Sequence, residues 1–341
     1  MRALIKSEGR WITAAAALSL AVLLLGVVGL GRNPALVLRL MVSRVLLSPY
    51  GLGQTLYKTT TLIFTGLACA LAFRCGLFNI GAEGQVYAGG FLMTAVGLAL
   101  PGLPAVLLIP LLLVVSALGG GLWALLPGYL KAKRGAHEVI TTMMMNFIAL
   151  ALTNYLVMAR VHVPETIHTQ ELPAAASLPL AGAFARTFQG SAVNASLLVA
   201  LALAAAVWYF LWRTPLGFEL RAVGANPEAA RSSGVPVESR LFLILVASGA
   251  LAGLAGVNFI LGYKHYFEQG FAAEEGFLGI AVALVAKNHP VGVVFAALLF
   301  ALLSQAGLAL NTVIPRELFE ILQSAVIFIV VICQNRLGEK A

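Results

Sequence analysis

The chain has 341 residues; 60% are hydrophobic and 11% charged, with a net charge of +8 and a mean hydropathy of +0.93. Soluble domains carry about 25% charged residues, so this composition points into a membrane, and the positive balance reads as cationic loops beside anionic lipid rather than a nucleic-acid surface. There is no aspartate and no Gly-Lys pair, which excludes a GxxxxGK[ST] phosphate loop and an aspartyl-phosphate, and the chain holds no HExxH or GxSxG motif.

Taken in chain order, the first apolar stretch, Trp11–Leu30, is long for a signal peptide and lacks a cleavage site, so it reads as a retained span. Arg2, Lys6 and Arg10 place the N-terminus inside. Spans are expected at about 11–31, 54–73, 85–100, 104–126, 138–159, 196–212, 241–262, 275–287, 292–311 and 318–334, a bilayer needing roughly 20 apolar residues per helix. The fold class is therefore an all-α polytopic membrane protein with about ten transmembrane helices, one transmembrane domain over 1–341. Residues 35–47, ALVLRLMVSRVLL, suit an amphipathic helix on the outer surface.

The segment Cys75–Gly90, CGLFNIGAEGQVYAGG, is broken by glycines and carries polar residues into an apolar context. A second such segment, Gln269–Gly279, QGFAAEEGFLG, leads into the eighth span. Two five-span halves would be inverted relative to each other, since five is odd, and broken helices at matching places of inverted repeats mark substrate paths. The alternative is two independent loops. Asn79, Glu83 and Gln85 are candidates for lining this path, with the rings of Phe78 and Phe271 beside them; Asn146 is a further candidate at membrane depth. Such polar groups either face a water-filled path or bond neighbouring helices. Asn258 and Gln305 interrupt later spans, and Gly249-xxx-Gly253 permits close helix packing.

Lys131, Lys133 and Arg134 fall on the inner side by the span count, and the Pro- and Ala-rich loop 160–195 falls outside, packing partly against the protein or a partner. The loop Arg213–Arg240 is a charged island that this count places in the cytoplasm. Inside it, Asn226 suits an N-cap, Pro227 the first helical position and Glu228 the first turn, while Gly234 and Pro236 close the helix. A short, rigid, capped helix there suits a part that another protein pushes; the alternative is an ordinary surface helix. Three cysteines and five scattered histidines show no disulfide framework and no metal-ligand spacing.

Three motifs in order, FNIGAEGQ at Phe78–Gln85, GAHEVITTMMMN at Gly135–Asn146 and RAVGANPEAARSSGV at Arg221–Val235, resemble the permease subunits of bacterial nucleoside ABC importers, within the wider sugar and branched-chain amino-acid permease group. The resemblance covers nearly the whole chain. It implies a multi-pass protein of the bacterial inner membrane with both termini cytoplasmic, with no ATPase site or cofactor of its own. It further implies an ABC ATPase subunit that binds ATP, a second related permease and an extracytoplasmic substrate-binding lipoprotein. It makes Arg221, Gly224, Asn226, Pro227, Glu228 and Arg231 the expected ATPase-coupling loop. The alternatives are a simple-sugar or branched-chain amino-acid permease, or a secondary transporter or channel using Glu83 and Glu274/Glu275.

Overall fold

A computed structural model describes residues 24–178, 188, 190–272 and 274–338, the side chains of 326 and 329–338 excepted. Most of the first expected span and part of the loop 160–195 lie outside the described residues. Among those described, the chain is helical with two isolated bridges and no named strand. We number the helices α1 (Pro34–Met41), α2 (Pro49–Arg74), α3 (Ala82–Ala99), α4 (Ala105–Arg134), α5 (Glu138–Leu156), α6 (Ser196–Arg213), α7 (Pro215–Ala225), α8 (Pro227–Ser232), α9 (Val237–Gly253), α10 (Gly256–Phe259), α11 (Glu275–Val285), α12 (Pro290–Leu310) and α13 (Arg316–Gly338).

Among the described residues, six segments are long and apolar enough to cross a bilayer: α2, α4, α6, α12, α5 with its extension to Val161, and α9 with its extension to Lys264. The helix α11 matches the eighth expected span but has 11 residues, too few to cross alone. The span expected at 85–100 begins earlier, at Ala82.

The helix α2 is the central post. Its residues Thr59 to Ala72 are buried on every face, with α6, α9, α11 and α12 packed around it. No amphipathic stripe is needed when a helix is surrounded. Thr55, Thr59, Thr60 and Thr65 turn their hydroxyls onto the helix's own carbonyls, as Thr59 does to Thr55 O at 2.8 Å, so they cost little in an apolar core.

The tightest crossing is α4 on α9. A Cβ on Gly253 would meet the Ser116 carbonyl and stand 3.0 Å from Gly120 Cα. Ser116 Oγ donates to Gly253 O at 2.8 Å. Small residues let the two backbones touch, which is what Gly249-xxx-Gly253 was expected to permit.

Residues Pro34–Met41 are helical, capped by Asn33, and a π turn carries the helix on to Leu46. Val37 and Val45 bury themselves among Ala306, Leu310 and Phe319. The described part of the loop 160–195 folds back onto the extension of α9 and the re-entrant chain after Lys264. Thr169 N donates to Phe267 O at 2.9 Å, Leu172 N to His265 O at 2.7 Å and Leu178 N to Leu261 O at 2.8 Å. These bonds satisfy a buried backbone that has no helix to do so.

The two glycine-broken segments meet. After Arg74 the chain turns and re-enters the bundle, so that Cys69 Sγ contacts Asn79 O at 3.8 Å. After Lys264 it re-enters from the opposite end, with Phe267 and Ala272 buried. Here α3 and α11 begin side by side, midway along α2. From that junction α11 follows α2, Gly279 lying against Thr65 and Val282 against Gly66, and reaches Arg74 through its carbonyls. The helix α3 leaves the other way, Gly97 ending against Leu172.

Candidate functional site: a junction of two broken helices

Neither broken helix caps itself. The N-cap of α3 is Gly81 and that of α11 is Glu274 in the left-handed conformation, φ +68°; neither makes a side-chain capping bond. A helix start leaves four N–H groups without internal partners, which is costly away from water. Both starts are therefore capped from elsewhere in the chain. Asn146, on α5, accepts from Gly84 N at 2.9 Å through Oδ1 and donates to Ile80 O at 2.8 Å through Nδ2. Glu83 accepts from Glu274 N at 3.0 Å and Gly276 N at 2.7 Å. One carboxylate on α3 thus holds the start of α11, where the helix dipole also favours an anion.

Asn79 and Gln85 pair through both ends of their amides, at 2.8 and 3.1 Å. Asn79 also accepts from Gly81 N at 3.1 Å and donates to Ser248 Oγ at 2.7 Å, and Ser248 Oγ donates to Ala68 O at 2.6 Å. Asn79 is fully buried and Gln85 is 1% exposed. The network ties the re-entrant segment to α2 and α9.

The structure does not bring Phe78 and Phe271 together. Phe78 is exposed and packs on Phe73, centroids 5.0 Å apart. Phe271 sits among Tyr87, Phe259 and Phe267, with centroids 5.1–5.2 Å away. Phe78 lies before the turn into α3, on the Arg74 side of the junction, whereas Phe271 lies on the opposite re-entry, so the two rings face different neighbours.

A small cavity of about 10 Å³, room for little more than one water, opens beside Phe271. Tyr57, Thr61, Ala255, Phe259, Ala272 and Glu275 complete its lining. A polar chain stands behind it. Asn194 Nδ2 and Ser196 Oγ both donate to Asn258 Oδ1 at 2.9 Å. Asn258 Nδ2 donates to Tyr57 O and to Thr61 Oγ1, each at 2.8 Å. Thr61 in turn hydrogen-bonds the Glu275 carboxylate, and Lys58 supplies a positive field to that carboxylate. Asn258 and Glu275 stand out in the sequence as polar residues at membrane depth; Tyr57, Thr61 and Lys58 have no such signal, because a Thr or Tyr in an apolar helix looks like ordinary packing.

At the Arg74 end, the loop 213–240 takes the form its sequence dictates. Asn226 Oδ1 accepts from Glu228 N at 3.0 Å and Ala229 N at 3.1 Å, Pro227 opens α8, and Gly234 closes it at φ +86°. Residues 225–234 are exposed apart from Ala230. Arg231 pairs with Glu238 and Arg240 with Glu219, both at 2.5 Å. Gly224 lies directly on the Arg74 carbonyl, 3.0 Å from Cys75 Cα as measured from where its Cβ would stand. Arg74 spans the gap to the next element: Nε donates to Asn288 O at 2.8 Å and Nη2 to Lys287 O at 3.0 Å. The guanidinium groups of Arg74 and Arg221 lie 5.2 and 5.7 Å from the Trp212 ring centre, and His289 packs on that ring at 4.9 Å. Arg74 and Trp212, which make this contact, carry no motif of their own.

Known proteins match the chain over most of its length. The family described as the permease component of the branched-chain amino acid transport system matches residues 51–331. The chain is 39% identical to the guanosine ABC transporter permease protein NupP of Bacillus subtilis, over 82% of this chain and 81% of that protein. It is 34% identical to the nucleoside ABC transporter permease protein NupB of Lactococcus lactis, over 84% and 80%. It is 35% identical to the glucose ABC transporter permease protein TsgB13 of Haloferax volcanii, over 89% and 82%. With six bilayer-length apolar helices and a match over residues 51–331, the chain is a multi-pass membrane protein and belongs to the branched-chain amino acid transport system permease family.

Proposed function

We propose that this chain is the membrane permease of an ATP-driven importer of nucleosides, set in the bacterial inner membrane with both termini in the cytoplasm. The observation that carries the substrate is the similarity to two nucleoside permeases, at 39% and 34% identity over more than four-fifths of this chain. A separate ABC ATPase docks on the exposed helix α8, with Arg221, Gly224, Asn226, Pro227, Glu228 and Arg231 as its coupling loop. A second related permease and a substrate-binding lipoprotein complete the assembly. The chain itself supplies no ATPase site.

In this reading the ten spans form two inverted halves, and α3 and α11 are matching half-helices. Support comes from their paired starts and opposite directions. ATP-driven closure of the ATPases displaces α8 and α7. Gly224 transmits that displacement to the turn after α2, and Arg74 transmits it to the start of α12. The path between the halves then changes which side it opens to, because the ATPase binds its two states unequally. Asn79, Gln85 and Asn146 brace that path, and Glu83 and Phe271 face its centre. A glucose-type substrate is the second reading, favoured by the 35% identity to the Haloferax protein.

Reconstitution tests the proposal. In proteoliposomes with its ATPase, second permease and binding protein, the chain is expected to take up labelled nucleoside only with ATP, and no ATP hydrolysis is expected from the purified chain alone. Glucose uptake without nucleoside uptake would favour the second reading. Robust hydrolysis by the isolated chain would sink both.

A further inference from the structure

We infer that Glu275, presented by Thr61 beside the rings of Phe259 and Phe271, is a vicinal-diol subsite that selects ribonucleosides by their 2′- and 3′-hydroxyls. The inference rests on the import reading above and deepens it.

The cavity walls divide by chemistry. Phe259, Phe271 and Tyr57 present aromatic surface, whereas Glu275 and Thr61 present oxygen. An ionised carboxylate only accepts hydrogen bonds, at about four lone-pair positions. The Thr61 hydroxyl takes one of them. Thr61 is committed to that direction, because its own oxygen already accepts from Asn258 Nδ2 at 2.8 Å. The rest of the carboxylate, half-buried at the cavity wall, is matched to groups that bring two adjacent O–H donors.

A ribose offers two such donors on neighbouring carbons, and the attached base offers a flat face to the rings. Glu83, Glu274 and Glu275 lie together at the junction, and the ring-lined wall suits a neutral polyol carrying an aromatic ring.

The pocket is closed in this structure. Phe259 and Phe271 stand 5.2 Å apart, tilted by 37°, whereas a base between two rings needs two contacts of roughly 3.5 Å each. Both rings sit on irregular backbone. Phe259 ends the four-residue helix α10 and opens onto a π turn, and Phe271 follows Gly270 at φ +78°. Moving the Phe271 ring therefore bends no helix.

The test uses the complete importer in proteoliposomes with saturating binding protein, and labelled guanosine, 2′-deoxyguanosine and 2′,3′-dideoxyguanosine as probes. The quantity read is the ratio of initial uptake rates, guanosine over dideoxyguanosine, per assembled complex. Glu275→Gln is expected to lower this ratio about tenfold, the size of one charge-assisted hydrogen bond, mainly by slowing guanosine. Glu275→Asp keeps the charge and should lower it less. Thr61→Val should move the ratio the same way, and it decides the matter if Glu275→Gln fails to assemble. The binding protein is common to every arm, so a changed ratio belongs to the permease. Guanosine uptake by the unmodified importer with an unchanged ratio in the assembled variants overturns the subsite and leaves the import reading standing. No uptake of any nucleoside by the unmodified importer overturns both.

Discussion

Asn79 shows why a polar residue in a membrane protein is not by itself a substrate ligand. It is fully buried, and its amide is occupied by Gln85, Ser248 and Gly81 N–H. Removing it leaves those partners unpaired in an apolar interior, at roughly 1–3 kcal/mol for each group that finds no replacement. Asn79→Ala is therefore expected to lower the melting temperature and folded yield of the assembled importer together, with uptake per folded complex preserved. Thermal unfolding in detergent beside normalised uptake checks this. Lost uptake at unchanged stability would instead make Asn79 a substrate contact. The same reasoning separates Asn79 and Asn146 from Glu83. Asn79 and Asn146 spend their hydrogen bonds inside the scaffold, whereas Glu83 spends its own across the junction between the two broken helices.

At the scale of elements, the turn between α11 and α12 is the strained joint. Lys287 and Asn288 both have positive φ, +52° and +56°, a conformation costing about 1 kcal/mol or more for each residue with a Cβ. Their two carbonyls are gripped by the fork of one guanidinium, that of Arg74. Arg74 is also the end of α2, where α7 rests through Gly224. His289 completes the joint. Burial, and then the charge of Arg74, lower its pKa from the usual imidazole value, so near neutral pH an uncharged ring packs on Trp212. Arg74→Ala frees the turn from the loop that meets the ATPase. The chain should still insert and assemble, but nucleoside moved per ATP hydrolysed should fall several-fold. Arg74→Lys should recover part of the loss, since an ammonium lacks the planar fork. Transport and hydrolysis measured on the same proteoliposomes give that ratio, and an unchanged ratio in Arg74→Ala would remove this joint from the coupling route.

At the scale of the whole molecule, two basic segments, 131–134 and 213–240, lie at one end, while Arg39 and Arg44 precede α2 at the other. Lys131 pairs with Glu138 at 2.7 Å, and the loop 213–240 packs on the end of α2. The described part of 160–195 covers the opposite end, against His265 and Phe267. If Lys and Arg mark the cytoplasmic side, single cysteines near 133 and 228 should resist a membrane-impermeant thiol reagent in intact cells, and one at 170 should react. The background would lack the three native cysteines. Reaction at 228 with protection at 170 would invert the orientation.

The parts legible in the sequence are those decided by neighbours along the chain. Long apolar runs become helices because no other backbone satisfies itself in lipid. The helix α8 forms where Asn226, Pro227 and Gly234 place it because capping acts over two or three residues. The broken segments are visible for the same reason, since glycine and isolated carboxylates disrupt an apolar run locally. Their caps are not, because the groups that satisfy α3 and α11 lie 62 and 191 residues away in Asn146 and Glu83. A buried N–H must find a partner, and the sequence states that demand; which residue meets it depends on which helices the packing brings together. Tertiary structure likewise separated Phe78 from Phe271 and gathered Tyr57, Thr61, Phe259 and Glu275 around one cavity. The sequence by itself determined that the chain is a helical membrane protein with an exposed, capped loop helix. Only the packing of α2 against α9, α11 and α12 decided which polar groups meet one another across the scaffold.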